Sequence, residues 1–205
     1  EEFLARMEPA GLTRTAMFPV YGLAEASLAV SFPPLGRPYR SICVDRHHMG
    51  VGEAPPRVEH TNRDAMELMA VGTAIPYCEV RLVDDTDQAV AQGHIGHILI
   101  RGENVTRGYF EDPESNAATI TADGWVRTGD LGLFDDGDLY ITGRAKEIIF
   151  VNGQNYWPHD LESIALRAPR LELGKIVAAG VRPRGAQADQ LVVFILHRSD
   201  MADFL

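Results

Sequence analysis

Apolar and polar positions change rhythm several times along this chain, and each change predicts an element. Phe3, Leu4 and Met7 fall at helical spacing in a short segment that Pro9 and Gly11 close. Residues 15–20 form an apolar run that predicts a buried strand leading into Tyr21-Gly22-Leu23-Ala24-Glu25. Over 31–69 no period is sustained. Pro33, Pro34, Pro38, Pro55 and Pro56, with turn signals at Gly36, Gly50 and Gly52, predict a long loop, and loops of that length are usually functional or mobile. Residues 80–83 alternate as a strand, Gly93 and Gly96 punctuate a turn, and 97–101 is the next strand.

The stretch 124–162 carries the strongest local signals. Asp136-Gly137 predicts a two-residue hairpin, because both central residues of such a turn need positive φ. Pairing Asp135 with Asp138 places Phe134 opposite Leu139, Asp130 opposite Gly143 and Gly129 opposite Arg144. Opposed residues lie about 4.5–5.5 Å apart, so Thr128-Gly129-Asp130 and Gly143-Arg144 are expected side by side at the open end. In strict register Asp130 and Arg144 point to opposite faces, so pairing must stop or bulge there if both serve one ligand. Residues 147–151 predict a strand. Pro158 suits the first turn of a helix whose apolar face is Leu161, Ile164, Ala165 and Ala168, ended by Pro169, and 176–181 and 191–196 predict two more strands. The expected class is α/β (α+β): a β-rich, small barrel-like subdomain, then the start of a small α+β domain.

Composition narrows the function. The chain has 205 residues, 45% of them apolar, enough for one large or two small cores. A net charge of -10 argues against a nucleic-acid surface. There are two lysines, Lys146 and Lys175, and two isolated cysteines, Cys43 and Cys78, which fit a reducing, cytoplasmic setting. No apolar run approaches the roughly 18–20 residues of a membrane span, and the opening EEFLARME lacks the features of a signal peptide. Because the chain opens without Met, it reads as a piece of something longer.

Several residues could carry chemistry. An ionised Asp130 offers two oxygens to neighbouring hydroxyls, and Arg144 offers a fork of donors to hydroxyl or phosphate oxygens; together they suit a ribose carrying a phosphate. A structural Asp and a surface Arg is the other reading, and spacing does not decide between them. Glu25 could hold Mg²⁺, a hard cation that takes oxygen ligands, and Tyr21 could offer a flat wall to a base; an ordinary loop Tyr and a solvated Glu is the alternative. His47 and His48 read as solvated, His94 and His97 as structural or exposed.

Taken together, these motifs resemble a known family. Thr128-Gly129-Asp130 followed by Gly143-Arg144-Ala145-Lys146 is similar to the T-G-D and G-R-x-[KD] signatures of the acyl-adenylate-forming ligase superfamily, and YGLAEASL from Tyr21 matches its Y-G-x-[TA]-E motif. The order Gly153, Asn155, Pro158, Asp160, Leu161, Glu162 resembles the fatty acyl-AMP ligase branch, as does Ala24 where other branches carry Thr. Val105-Thr106-Arg107-Gly108-Tyr109-Phe110 resembles the R-G-Y-[WF] step before the Thr-Gly-Asp turn. His97 stands where the family usually has Glu.

This resemblance implies that Asp130 holds the ribose hydroxyls of ATP, with Tyr21 and Gly22 also at the nucleotide. Arg144 would contact ribose or phosphate, Lys146 would mark the hinge, and Glu25 would hold Mg²⁺. Residues 1–143 would belong to the large adenylation domain, with 31–69 a branch-specific insertion, and 144–205 would be the hinge and part of the C-terminal subdomain. The implied reaction activates a fatty acid to acyl-AMP with release of pyrophosphate, then passes the acyl group to an acyl carrier protein. An acyl-CoA ligase or amino-acid adenylation domain is a second reading, and a non-catalytic carrier-protein docking module on a degenerate scaffold a third. The sequence has no phosphate loop upstream of Tyr21. Pro169 to Lys175 imitates the superfamily's catalytic-lysine motif, but Lys175 comes 29 residues after Lys146, too early to be that lysine, which is expected beyond Leu205.

Overall fold

The computed structural model describes residues 2–151, 154–166, 174–181 and 190–196. The chain divides into two compact units, Glu1–Thr142 and Gly143–Leu205. It is a strand-rich, mixed α/β protein. Among the described residues, no helix is long and apolar enough to cross a membrane.

The first unit opens with α1 (Glu2–Met7), which runs into a 3-10 turn over Glu8–Ala10 and stops where Gly11 turns to φ 84. The strand expected at 15–20 is absent. Arg14–Ala16 is a 3-10 turn, and Phe18 and Val20 are 37% and 47% exposed. Pro19 has no N–H to give a ladder, which works against pairing there. The next departure is in 31–69, which is not a loop throughout. It contains β1 (Ser31–Phe32), β2 (Ser41–Asp45) and β3 (Ala65–Met69), and β4 (Thr73–Ala74) follows. β2 and β3 are antiparallel, with Ile42 opposite Leu68 and Val44 opposite Met66. Val44, Met66 and Leu68 are buried, so cross-strand apolar pairs hold the ribbon together despite the surrounding prolines.

β5 (Cys78–Val83), β6 (Gly96–Gly102), β7 (Val126–Asp135) and β8 (Asp138–Arg144) form one sheet in sequence order. The sheet is open, with no pairing of β5 to β8, which corrects the barrel-like expectation: four strands are too few to close around packed side chains. β7 and β8 are separated by Asp136 at φ 49 and Gly137 at φ 83, the two-residue turn that the sequence predicts. Between β6 and β7, α2 (Pro113–Thr119) starts from Asp112, whose carboxylate accepts from the Ser115 N–H at 2.9 Å. One sheet face carries Leu82, Ile98, Ile100, Val126 and Leu139, and the turn bearing Tyr21, Ala26 and Val30 packs into that core. The other face packs Val83 and Leu99 with Trp125, whose ring lies under the guanidinium groups of Arg81 and Arg101.

In the second unit Ala145–Glu147 is a 3-10 turn, so the strand expected from 147 starts later, as β9 (Ile149–Val151). β9 pairs with β10 (Gln154–Tyr156), an element that was not expected, with Val151 opposite Gln154. α3 (Pro158–Ala165) packs on β11 (Ile176–Val181), which pairs antiparallel with β12 (Gln190–Ile195). Glu162 ties α3 to β11 by accepting from the Ala178 N–H at 3.0 Å. Ala168 and Pro169, assigned to the end of this helix, lie outside the described residues, as does Gly153 of the branch motif.

Candidate active site

The Thr-Gly-Asp turn is a widening of strand β7. His97 pairs with Leu131 and Leu99 with Arg127, so Thr128, Gly129 and Asp130 together face the single residue Ile98. Gly129 takes φ 79, a left-handed value that glycine adopts without a side-chain penalty. Thr128 closes the widened segment: its hydroxyl donates to the Ile98 carbonyl at 2.9 Å and accepts from the Asp130 N–H at 3.1 Å. The register shift beside Asp130 falls in the pairing of β7 with β6.

Asp130 is 6% exposed, and its Oδ2 accepts from the Tyr21 hydroxyl at 2.6 Å. Tyr21 is itself buried, and its backbone is fixed in an antiparallel bridge to Ser31. A hydrogen bond to a charged acceptor contributes about 1.5–3 kcal/mol. Tyr21 occupies one of the roughly four acceptor positions of the carboxylate. Two sequence motifs 109 residues apart thus meet side chain to side chain. At Gly22 any side chain would run into the Leu28 backbone, so the turn closes only around glycine.

Glu25 lies in the 3-10 turn Ala24–Ala26 and is half-buried. Its Oε1 accepts from the Tyr109 hydroxyl at 2.7 Å, and its backbone carbonyl accepts from the Thr106 N–H at 2.7 Å. The bond to Glu25 raises the Tyr109 phenol above its ordinary pKa, so the donor stays protonated. Asn104 adds bonds to the carbonyls of Ala26 and Ala29, at 3.0 and 2.7 Å. Arg144 is exposed at the end of β8 and Lys146 is exposed in the following 3-10 turn, both in the second unit. His47 is exposed beside Asp64, and His97 bonds Asp85 at 2.8 Å.

Residues 1–110 match the family model described as AMP-binding enzyme, a span that includes Tyr21, Gly22, Glu25 and Tyr109. The chain belongs to the AMP-binding enzyme family. A Caulobacter vibrioides relative provisionally named an acyl-CoA synthetase is 35% identical over 98% of this chain and 35% of its own length. The long-chain-fatty-acid–AMP ligase FadD32 of Mycolicibacterium smegmatis is 35% identical over 89% of this chain and 32% of its own length. A solved structure from a study of fatty acyl-adenylate ligases of E. coli and L. pneumophila superposes with a TM-score of 0.85 at 32% identity, covering 98% of this chain and 35% of that one. The chain thus spans about a third of the length of the relatives that it matches.

In this member of the AMP-binding enzyme family, sequence reasoning gave no role to Thr128 or Tyr109. Thr128 was visible only as a motif letter. Tyr109 was marked by its Arg-Gly-Tyr-Phe step, but its partner is 84 residues away. Among the described residues no three His, Cys, Asp or Glu side chains form a metal cage. A magnesium ion that takes one protein carboxylate and otherwise substrate phosphates and waters does not need one, and Glu25 fits that donor set.

Proposed function

We propose that this chain is the nucleotide-handling part of a fatty acyl-AMP ligase. The fatty carboxylate attacks the α-phosphorus of ATP, forming the acyl–O–P bond as pyrophosphate leaves. The acyl group then passes to the phosphopantetheine thiol of an acyl carrier protein, releasing AMP. The observation that carries this reading is the buried Tyr21–Asp130 bond, which joins two adenylation motifs at one place. The Tyr21 bond has the Asp130 carboxylate accepting from a hydroxyl, and the paired hydroxyls of a ribose are donors of the same kind. Arg144 takes the ribose or phosphate contact, and Lys146, just past the junction of the two compact units, marks the hinge. Glu25 holds Mg²⁺, which when bound neutralises charge on the phosphates. Residues 31–69 are the branch-specific insertion. The fatty acid substrate is supported by relatives named for fatty acid–AMP ligation.

The test is Asp130→Ala in the complete polypeptide that carries this chain. Loss of a charged acceptor from hydroxyl hydrogen bonds should lower kcat/KM for ATP in fatty-acid-dependent pyrophosphate exchange by about 10- to 100-fold. Unchanged exchange would end the ribose assignment. The Caulobacter relative's name favours coenzyme A as a second acceptor. Offering coenzyme A against carrier protein separates the two, and efficient coenzyme A thioester formation would overturn the reading of 31–69 as an insertion specific to the acyl-AMP ligase branch.

A further inference from the structure

The mechanism so far leaves Tyr109 unused, although it makes the 2.7 Å hydroxyl contact to Glu25. Its position is built with care. The Tyr109 N–H donates to Asn116 Oδ1 at 2.6 Å, and the Tyr109 carbonyl accepts from Asn116 Nδ2 at 2.8 Å. Gly108 takes φ 145, and the Asn116 amide lies where a Cβ on Gly108 would be. The same short segment grips the Glu25 turn from Thr106 and Asn104. Tyr109 remains 38% exposed, so the phenol and the carboxylate that it holds are reachable from solvent.

We propose that Tyr109 is the positioning residue for the Glu25 carboxylate, fixing which oxygen the protein engages and which is presented to a divalent cation. This rests on the reading of Glu25 as the magnesium-bearing acid. A free glutamate side chain loses rotamer freedom when it is ordered, and the phenol removes much of that cost before the metal arrives. Outer partners of a metal ligand typically matter about 10- to 100-fold in affinity. Tyr109 touches neither substrate nor metal in this role, and its effect is on the metal dependence of nucleotide binding.

The test is a magnesium titration of ATP binding by calorimetry in the complete polypeptide, with an EDTA arm. In Tyr109→Phe the half-saturating Mg²⁺ concentration should rise about tenfold or more. ATP affinity in EDTA should stay the same, and the substitution should add nothing in a Glu25→Gln background. If Glu25→Gln shifts the magnesium dependence and Tyr109→Phe does not, the positioning role is overturned while the metal assignment stands. If Glu25→Gln shifts nothing, both are overturned. Equal weakening of ATP with and without Mg²⁺ would mark a merely structural tyrosine and overturn the proposal. Should Tyr109→Phe not fold, Asn116→Ala, which keeps the phenol and releases its backbone, must shift the magnesium dependence in the same direction or the proposal falls.

Discussion

Thr128 shows how much of the site depends on one hydroxyl. It donates to a β6 carbonyl and accepts from the Asp130 peptide, so it sets both the width of the β7 bulge and the direction of the carboxylate beyond it. Thr128→Val keeps the shape and removes both bonds, leaving a carbonyl and an N–H without that partner. The expected cost is about 1–3 kcal/mol by urea denaturation, with a fall in ATP affinity. Thr128→Ser should restore both. A Val variant that binds ATP normally would show that the bulge holds its shape without the hydroxyl. Glu25 and Asp130 were legible as candidates because short local motifs surround them. Tyr21 was legible as a candidate too, but its bond to Asp130 and that of Tyr109 to Glu25 were not, because these are long-range pairs that no spacing rule connects.

Secondary structure was readable where local chemistry dominates and obscure where distant pairing does. The β7–β8 turn needs two left-handed residues, and Asp136-Gly137 supplies them at φ 49 and 83. Gly137→Ala has open space for its methyl group, so its cost comes from the backbone alone. It should exceed about 1 kcal/mol in chemical denaturation, while Gly137→Asn costs less because Asn tolerates that region. Equal penalties would point to a steric origin. By contrast, the β2–β3 ribbon pairs Ser41–Asp45 with Ala65–Met69 across an intervening Pro- and Gly-rich segment, so its alternation could not be matched to a partner beforehand. At 15–20 apolar content suggested a strand, yet a strand needs backbone partners as well as apolar side chains, and Pro19 cannot donate one. Beside Asp130 the pairing of β7 with β6 shifts register, an irregularity that no local spacing in the sequence announces.

At the scale of the whole molecule, acid is the most direct probe of the first unit. Asp84, Asp87, Asp112 and Asp123 all have carboxyl pKa values below the ordinary one, chiefly through hydrogen bonds from Thr86, Arg127, Ser115 and Thr121 respectively. A carboxyl held low in the folded state adds stability that is present above its unfolded pKa, about 3.9, and is lost as pH falls through the folded value. The melting temperature of the complete polypeptide should therefore be flat from neutrality to about pH 5 and decline below about pH 4. Three of the four bonds come from neutral hydroxyl or backbone donors, and only Asp87 relies first on a charged partner, the Arg127 guanidinium at 2.6 Å. Salt screens exposed charge pairs but has little hold on neutral donors. Raising the ionic strength to about 1 M should then leave most of the acid decline in place, and Asp87→Asn should remove the salt-sensitive part. A decline that high salt abolishes would mean that exposed ion pairs, and not the hydroxyl and backbone bonds to Asp84, Asp112 and Asp123, anchor these loops.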